Sequence, residues 1–132
     1  MLIPFPIAFL LGAAMTDAVF AVSGEPFWAT ASFWLLLAGV VSGAVAAGVG
    51  LIDFISISRA RSHRAGWIHA IGNLVVLVVA LMNWLPRIGD HAGFIEPWGL
   101  VFSLIGAALL GVTGWTGGEL SYRHQIGVTG HG

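Results

Sequence analysis

The sequence contains no cysteine, and only 8% of its 132 residues are charged. The lack of cysteine excludes disulfide bonds, thiolate-bound iron–sulfur clusters, covalently attached c-type haem and cysteine-based zinc sites. The scarcity of charge excludes an ordinary water-soluble domain, and the absence of a basic stripe argues against a nucleic-acid partner. The side chains left for chemistry are histidine, carboxylates, tyrosine, asparagine and arginine.

Long apolar runs make up most of the chain. Hydrophobic residues account for 58% of the sequence, and the mean hydropathy is +0.93. Because about 20 apolar residues cross a bilayer as one helix, the length accommodates four spans. We expect an all-α, integral membrane four-helix bundle that forms a single transmembrane domain over residues 1–132, with the lipid bilayer as its solvent. The expected spans are residues 4–22, 29–58, 66–85 and 98–121.

The arginines indicate how the bundle is oriented. Arg59, Arg61 and Arg64 lie between the second and third spans, and with four spans Arg123 falls on the same side. Only Arg87 falls on the other side. Positive residues mark the cytoplasmic side of a membrane protein. Both termini are therefore expected on the cytoplasmic side of the membrane. The first run, which has no positive residues before it, is expected to be kept as a span.

Glycines recur at helical spacing in two of the spans. Gly39 and Gly43 form a GxxxG step in the second span, and Gly114 and Gly118 repeat that spacing in the fourth. Small residues at this interval allow neighbouring helix backbones to approach closely in lipid. They predict helix packing inside the bundle, and the Gly39/Gly43 face also admits a homo-oligomer.

Polar residues collect at the cytoplasmic half of the expected bundle. Asp53 lies near the cytoplasmic end of the second span, His69 and Asn73 share one face of the third, and Glu119 and His124 lie at the end of the fourth. Polar groups at membrane depth are costly and usually face the bundle interior. Three uses fit these residue types: hydrogen bonds between helices, axial ligation of haem b by two histidines, or a proton relay.

Asp17 and Arg87 lie toward the opposite side of the membrane. A carboxylate within an apolar run favours a charged partner. We therefore expect an ion pair between Asp17 in the first span and Arg87 just after the third.

Several segments together resemble the bacterial four-helix membrane family known as domain of unknown function 2231. The resemblance implies the fold and a location in the bacterial inner membrane, and the family has no settled biochemical role. Some relatives are joined to Rieske-type iron–sulfur domains, which implies electron transfer near a b-type haem. Relatives usually carry a His-Pro pair just before the stretch equivalent to residues 1–4, and this chain as given has none. The residues that carry the resemblance are Pro6-Ile7-Ala8, Asp17, Gly50-x-x-Asp53, His69-x-x-x-Asn73, Arg87 and Gly114-Trp115-x-Gly117-Gly118-Glu119-Leu120-x-Tyr122-Arg123-His124-x-x-Gly127-Val128.

The leading functional hypothesis is a membrane electron-transfer protein or subunit that binds haem b between its helices. His69 and His124 are the expected ligands of the iron, and a redox protein or larger membrane complex would be the partner. The other residues expected around the haem are Asn73, Glu119, Tyr122 and Arg64. The alternatives are a non-catalytic accessory or scaffold subunit of a larger complex and a small proton- or ion-conducting bundle.

Overall fold

The computed structural model describes residues 2–118 and Tyr122, and this part of the chain is almost entirely helical. The helices are α1 (Pro4–Ser23), α2 (Pro26–Ser56), α3 (Ser58–Ser62), α4 (Arg64–Trp84) and α5 (Leu100–Gly118). A 3-10 turn over Leu85–Arg87 extends α4, and a π turn over Ile95–Gly99 leads into α5. The all-α prediction is confirmed.

Proline and glycine define where the helices begin and end. Proline stands in the first turn of α1 and of α2, where the missing N–H has no intrahelical partner in any case. Gly24 ends α1 with a φ of 69°, and its N–H donates to the Phe20 carbonyl at 2.7 Å. Residues that carry a side chain rarely adopt that left-handed backbone conformation, so glycine suits the position.

The four long helices form a closed bundle. Helix α1 packs against α2 and α5, and α4 packs against the same two helices from the opposite corner. Their shared apolar core is small: Leu10, Ala13, Leu36, Val76, Ala80 and Leu110. We name the end with the Gly24 turn and the 88–94 connection the turn end, and the end with α3 the arginine end.

The distribution of polarity is inverted relative to a water-soluble protein. Large apolar side chains such as Trp34, Val45 and Leu104 are more than half exposed, whereas Asp17 and Arg87 are fully buried. A surface of this kind is stable only in an apolar solvent. All four long helices, counting the turns that extend α4 and α5, have the length and apolarity to cross a membrane.

The structure corrects the predicted bounds of the spans. The second span begins at Pro26 and ends at Ser56, because an extended residue, Ile57, breaks it from α3. The third begins at Arg64, and the fourth is entered through the turn at Ile95. The first helix, Pro4–Ser23, matches its expected limits to within one residue.

Candidate functional site

Asp17 and Arg87 form a buried ion pair at the turn end. Arg87 Nη1 donates to Asp17 Oδ1 at 2.8 Å, and Nη2 donates to Oδ2 at 2.9 Å. Both side chains are 0% exposed. This parallel, two-bond geometry is the strongest arrangement between a guanidinium and a carboxylate. The structure thus brings together the two residues that the sequence suggested as partners.

The other N–H groups of Arg87 are also bonded. Nε donates to the Asn83 backbone carbonyl at 3.1 Å, and Nη2 donates to Asn83 Oδ1 at 2.6 Å. Nη1 donates to Ser32 Oγ at 3.0 Å. A guanidinium has five N–H donors, and together with the two bonds to Asp17 all five have acceptors. Protein groups accept hydrogen bonds from every N–H of the buried guanidinium.

Two serines complete the network. Ser103 donates to Asp17 Oδ2 at 2.5 Å and accepts a hydrogen bond from Asn83 Nδ2 at 2.9 Å. Ser32 donates to the Ala13 carbonyl at 3.3 Å. Asp17 belongs to α1, Ser32 to α2, Asn83 to α4 and Ser103 to α5. One connected network therefore joins all four spanning helices, and we name these four residues and Arg87 the turn-end network.

A glycine makes room for the guanidinium. A Cβ placed on Gly99 would lie 2.6 Å from Arg87 Nη2 and 3.0 Å from the Phe94 carbonyl oxygen. Real Cβ atoms do not approach other heavy atoms this closely. The turn at Ile95–Gly99 therefore packs its backbone directly against the charged group.

Aromatic side chains lie next to the turn-end network. Phe33 stacks on the His91 ring with 4.1 Å between centroids and an interplanar angle of 18°, and it also contacts Trp84. His91 Nδ1 and Thr30 Oγ1 are 3.2 Å apart, within hydrogen-bond distance. These contacts hold the 88–94 connection against α2 at Phe33, the residue that follows Ser32.

A second, smaller polar cluster lies nearer the arginine end, between α4 and α5. His69 Nδ1 donates to the Thr113 carbonyl at 3.0 Å, since a carbonyl only accepts. Nε2 is then the acceptor for Asn73 Nδ2 at 3.1 Å, and the same Nδ2 donates to the His69 carbonyl at 2.9 Å. The ring also lies against Gly117, where a Cβ would be 2.8 Å from Cε1.

One of the two hydrogen bonds of the His69 ring competes with axial ligation of haem. The bond from Nδ1 to the Thr113 carbonyl is compatible with ligation, because an iron-bound histidine usually donates its other ring N–H in this way. The lone pair of Nε2, which would have to bind iron, accepts the hydrogen bond from Asn73 Nδ2. The other expected haem residues give no pocket: Arg64 is exposed and Tyr122 is 90% exposed. His124 and Glu119 lie outside the described residues. Among residues 2–118 and Tyr122, no three histidine, aspartate or glutamate side chains converge as metal ligands would.

The remaining predicted residues divide between packed and open positions. Gly39 fits tightly against Leu10 of α1, and Gly43 lies in contact range of Leu77 of α4. Gly114 and Gly118 differ from these two: a Cβ at either would meet no atom of the described residues within 4 Å. They face away from the neighbouring helices, and Gly117 makes the close contact of α5 instead. Asp53 is exposed and its side chain forms no hydrogen bond within the described residues.

Sequence reasoning missed Ser32, Ser103 and Gly99. The two serines are ordinary in composition, but a depth comparison would have singled them out. Asp17 lies about two turns before the end of α1, and Ser32 lies about two turns after the start of α2. Ser103 enters the bundle to a similar depth in α5. Polar residues at equal depth on different spans are natural hydrogen-bonding partners.

Comparison with known proteins identifies a family for the chain. A family model described as "Predicted membrane protein (DUF2231)" matches residues 1–130. No curated protein and no solved structure matches the chain.

Proposed function

Since the chain belongs to the DUF2231 family of predicted membrane proteins, we propose that it is a non-catalytic scaffold subunit of a larger membrane assembly. In this proposal it resides in a bacterial inner membrane with both termini in the cytoplasm. The bundle supplies a rigid four-helix body, and its lipid-facing sides are where partner subunits bind. The partners would be other membrane proteins, or further copies of this chain.

The observation that carries the proposal is the saturation of the turn-end network. All five N–H groups of Arg87 and both oxygens of Asp17 are used in hydrogen bonds within the bundle. A catalytic or ion-conducting group has to exchange partners with a substrate, an ion or water. A fully bonded, dehydrated pair instead restricts the helices to one arrangement. The His69 cluster has the same character, because Asn73 and Thr113 occupy its ring nitrogens.

The size of the native particle tests the scaffold role. Extraction of the membrane with its lipids in polymer discs, followed by mass photometry, should give particles heavier than discs that hold one 13.8 kDa chain. Chemical cross-linking should connect this chain to specific membrane proteins or to itself. Particles with a single chain and no cross-linked neighbour, at native expression level, would contradict the proposal.

Proteoliposome flux separates the scaffold from a conducting bundle. Vesicles that contain the purified chain should pass protons and monovalent ions no faster than empty vesicles, because the turn-end network offers no group free to carry a charge. Flux above that of empty vesicles, abolished by Asp17→Asn or His69→Ala, would overturn the scaffold proposal in favour of conduction.

Haem b binding with electron transfer stays a prediction from the sequence. His69 is half-buried and faces α5 next to a glycine, which is the position the hypothesis needs. For ligation Asn73 would have to release Nε2, and the scaffold proposal predicts that the purified chain stays colourless after haem supplementation. A Soret band that shifts on dithionite reduction and disappears in His69→Ala and His124→Ala would establish a b-type cytochrome and displace the scaffold proposal.

A further inference from the structure

The arginine end of the bundle lies outside both polar clusters. Arg59 and Arg61 lie on α3 and Arg64 begins α4, and all three are exposed. Three positive charges thus lie within six residues at the boundary of the spanning helices. Among residues 2–118 and Tyr122, the one ion pair within 4.0 Å is that of Arg87 with Asp17, so no described carboxylate lies within 4.0 Å of the charged nitrogens of these three arginines.

The three arginines have different roles. Arg61 Nη1 donates to the carbonyls of Phe54 and Ile55, which are among the last acceptors of α2 without helical partners. Arg61 therefore serves the fold. The side chains of Arg59 and Arg64 make no hydrogen bond within the described residues, and both point to the surface as full positive charges.

The backbone that carries these charges is held in place. The Trp67 indole N–H donates to the Arg61 carbonyl at 3.0 Å, and the ring packs edge-on against Phe54 at 5.0 Å. Trp67 is nevertheless 49% exposed, as is typical of a tryptophan at the level of lipid headgroups. Ile52 and Ile55 of α2, 65% and 61% exposed, continue the apolar surface below it. The two unbonded arginines therefore lie where the apolar surface ends.

We propose that Arg59 and Arg64 bind the phosphate groups of anionic phospholipids at the arginine end of the bundle. The fitting partner is a lipid headgroup with net negative charge, of the phosphatidylglycerol type, whose acyl chains lie along the exposed apolar face of α2. Charge complementarity selects this class over zwitterionic lipid, because the latter carries its own ammonium group. This inference does not depend on the scaffold role.

Lipid retention measured by native mass spectrometry tests the proposal. The full chain in neutral detergent is titrated with phosphatidylglycerol or, separately, with phosphatidylcholine of the same acyl chains. A basic residue at an anionic membrane surface contributes about a fivefold preference. Arg59→Gln/Arg64→Gln should therefore weaken phosphatidylglycerol binding by about 30-fold and leave phosphatidylcholine binding unchanged.

Matched variants isolate the position of the charge. Arg64→Gln and Ser23→Asp both lower the net charge by one, but Ser23 is at the turn end, so only Arg64→Gln should weaken binding. Arg59→Lys/Arg64→Lys keeps both charges and should retain the preference. Both arginines are exposed and unbonded, so the glutamine double variant should melt at the wild-type temperature without lipid.

Several results would overturn the proposal. These are equal binding of the two lipids by the wild-type chain, undiminished phosphatidylglycerol binding by the glutamine double variant, or an equal loss in Ser23→Asp. Saturation of the site by millimolar inorganic phosphate would assign it to a soluble anion instead of a lipid. A preference that is the same at low and high salt would exclude the electrostatic mechanism.

Discussion

Burial of the charged Arg87 side chain carries the largest electrostatic cost in the bundle. A guanidinium at 0% exposure loses all of its hydration, which costs several kcal/mol in a protein interior. The cost is offset because its charge faces Asp17 and its remaining N–H groups meet Asn83 and Ser32. The pair is therefore more important for keeping the helices in one arrangement than as a source of net stability. Removal of one partner alone should therefore strongly destabilise the folded bundle.

Asp17→Asn should strongly destabilise the protein. The side chain keeps its shape but loses its charge, which leaves Arg87 buried without a counter-ion, and breaking such a pair costs about 3–5 kcal/mol. Chemical unfolding in detergent, followed by circular dichroism, measures this loss. Asp53→Asn is the matched control, since Asp53 is exposed and unbonded; it should stay within about 0.5 kcal/mol of wild type. Equal stabilities for the two variants would refute a special role for the pair.

Gly99→Ala should disturb the same network from the side of α5. The new methyl group would lie 2.6 Å from Arg87 Nη2, and the guanidinium cannot move without breaking its hydrogen bonds. Overpacking of this kind costs about 1–3 kcal/mol. Gly106→Ala, with no atom within 4 Å of its Cβ, is the control and should unfold at the wild-type denaturant concentration or above it. If both alanine variants behave alike, the tight packing at Gly99 is incorrect.

At the scale of elements, the contact between α4 and α5 depends on glycines that each lie against a side chain of the other helix. A Cβ at Gly72 would overlap the Thr113 side chain, and one at Gly117 would overlap the His69 ring. These glycines allow the helices to approach until His69 reaches the Thr113 carbonyl. Close backbone approach is a main source of helix association in lipid, where burial of apolar surface gives little.

Gly117→Ala should weaken this helix pair. The added methyl group would displace the imidazole and break its bond to Thr113, for an expected loss of about 1–3 kcal/mol. Gly114→Ala, three residues earlier on the same helix, meets no atom within 4 Å and should be neutral or stabilising, since alanine favours helix over glycine. The two variants are compared by thermal unfolding in one detergent. The reverse order of stability would show that Gly114, not Gly117, faces α4.

At the scale of the whole molecule, the distribution of polar and apolar side chains determines the environment of the bundle and is the basis of its proposed orientation. The bundle presents apolar side chains outward and connects its helices internally through polar groups, so its free energy minimum lies in a bilayer. The two ends differ in charge: the arginine end has three exposed arginines, whereas the arginine of the turn end is buried and paired. This asymmetry is the physical basis of the proposed orientation.

Cysteine labelling tests that orientation without background, because the chain has no native cysteine. Ser23→Cys at the turn end should react with a membrane-impermeant maleimide in spheroplasts. Ser58→Cys at the arginine end should react only in inverted membrane vesicles. Both positions are exposed, so reactivity reports the side of the membrane. The opposite pattern would reverse the proposed topology, and the unmodified chain should stay unlabelled in both preparations.

The amino-acid sequence alone was sufficient for the family and for the all-α, four-helix membrane fold class, and these predictions are confirmed. Hydrophobic runs, and the prolines and glycines at their ends, act on the local backbone. The order of residues along the chain is therefore enough to predict the helices. The sequence also singled out Asp17, because a charge inside an apolar run is rare enough to require a partner, and it suggested Arg87 at the same end of the bundle as that partner.

Only the tertiary structure decided which polar groups meet. Ser32 and Ser103 look like ordinary helix residues until the packing of α2 and α5 brings them to the two sides of the ion pair. The helical rotation that turns Gly117 toward His69, and Gly114 away from it, likewise depends on how α5 docks on α4. Contacts between helices depend on rotation and depth together, and these are set by the whole bundle and by no single segment.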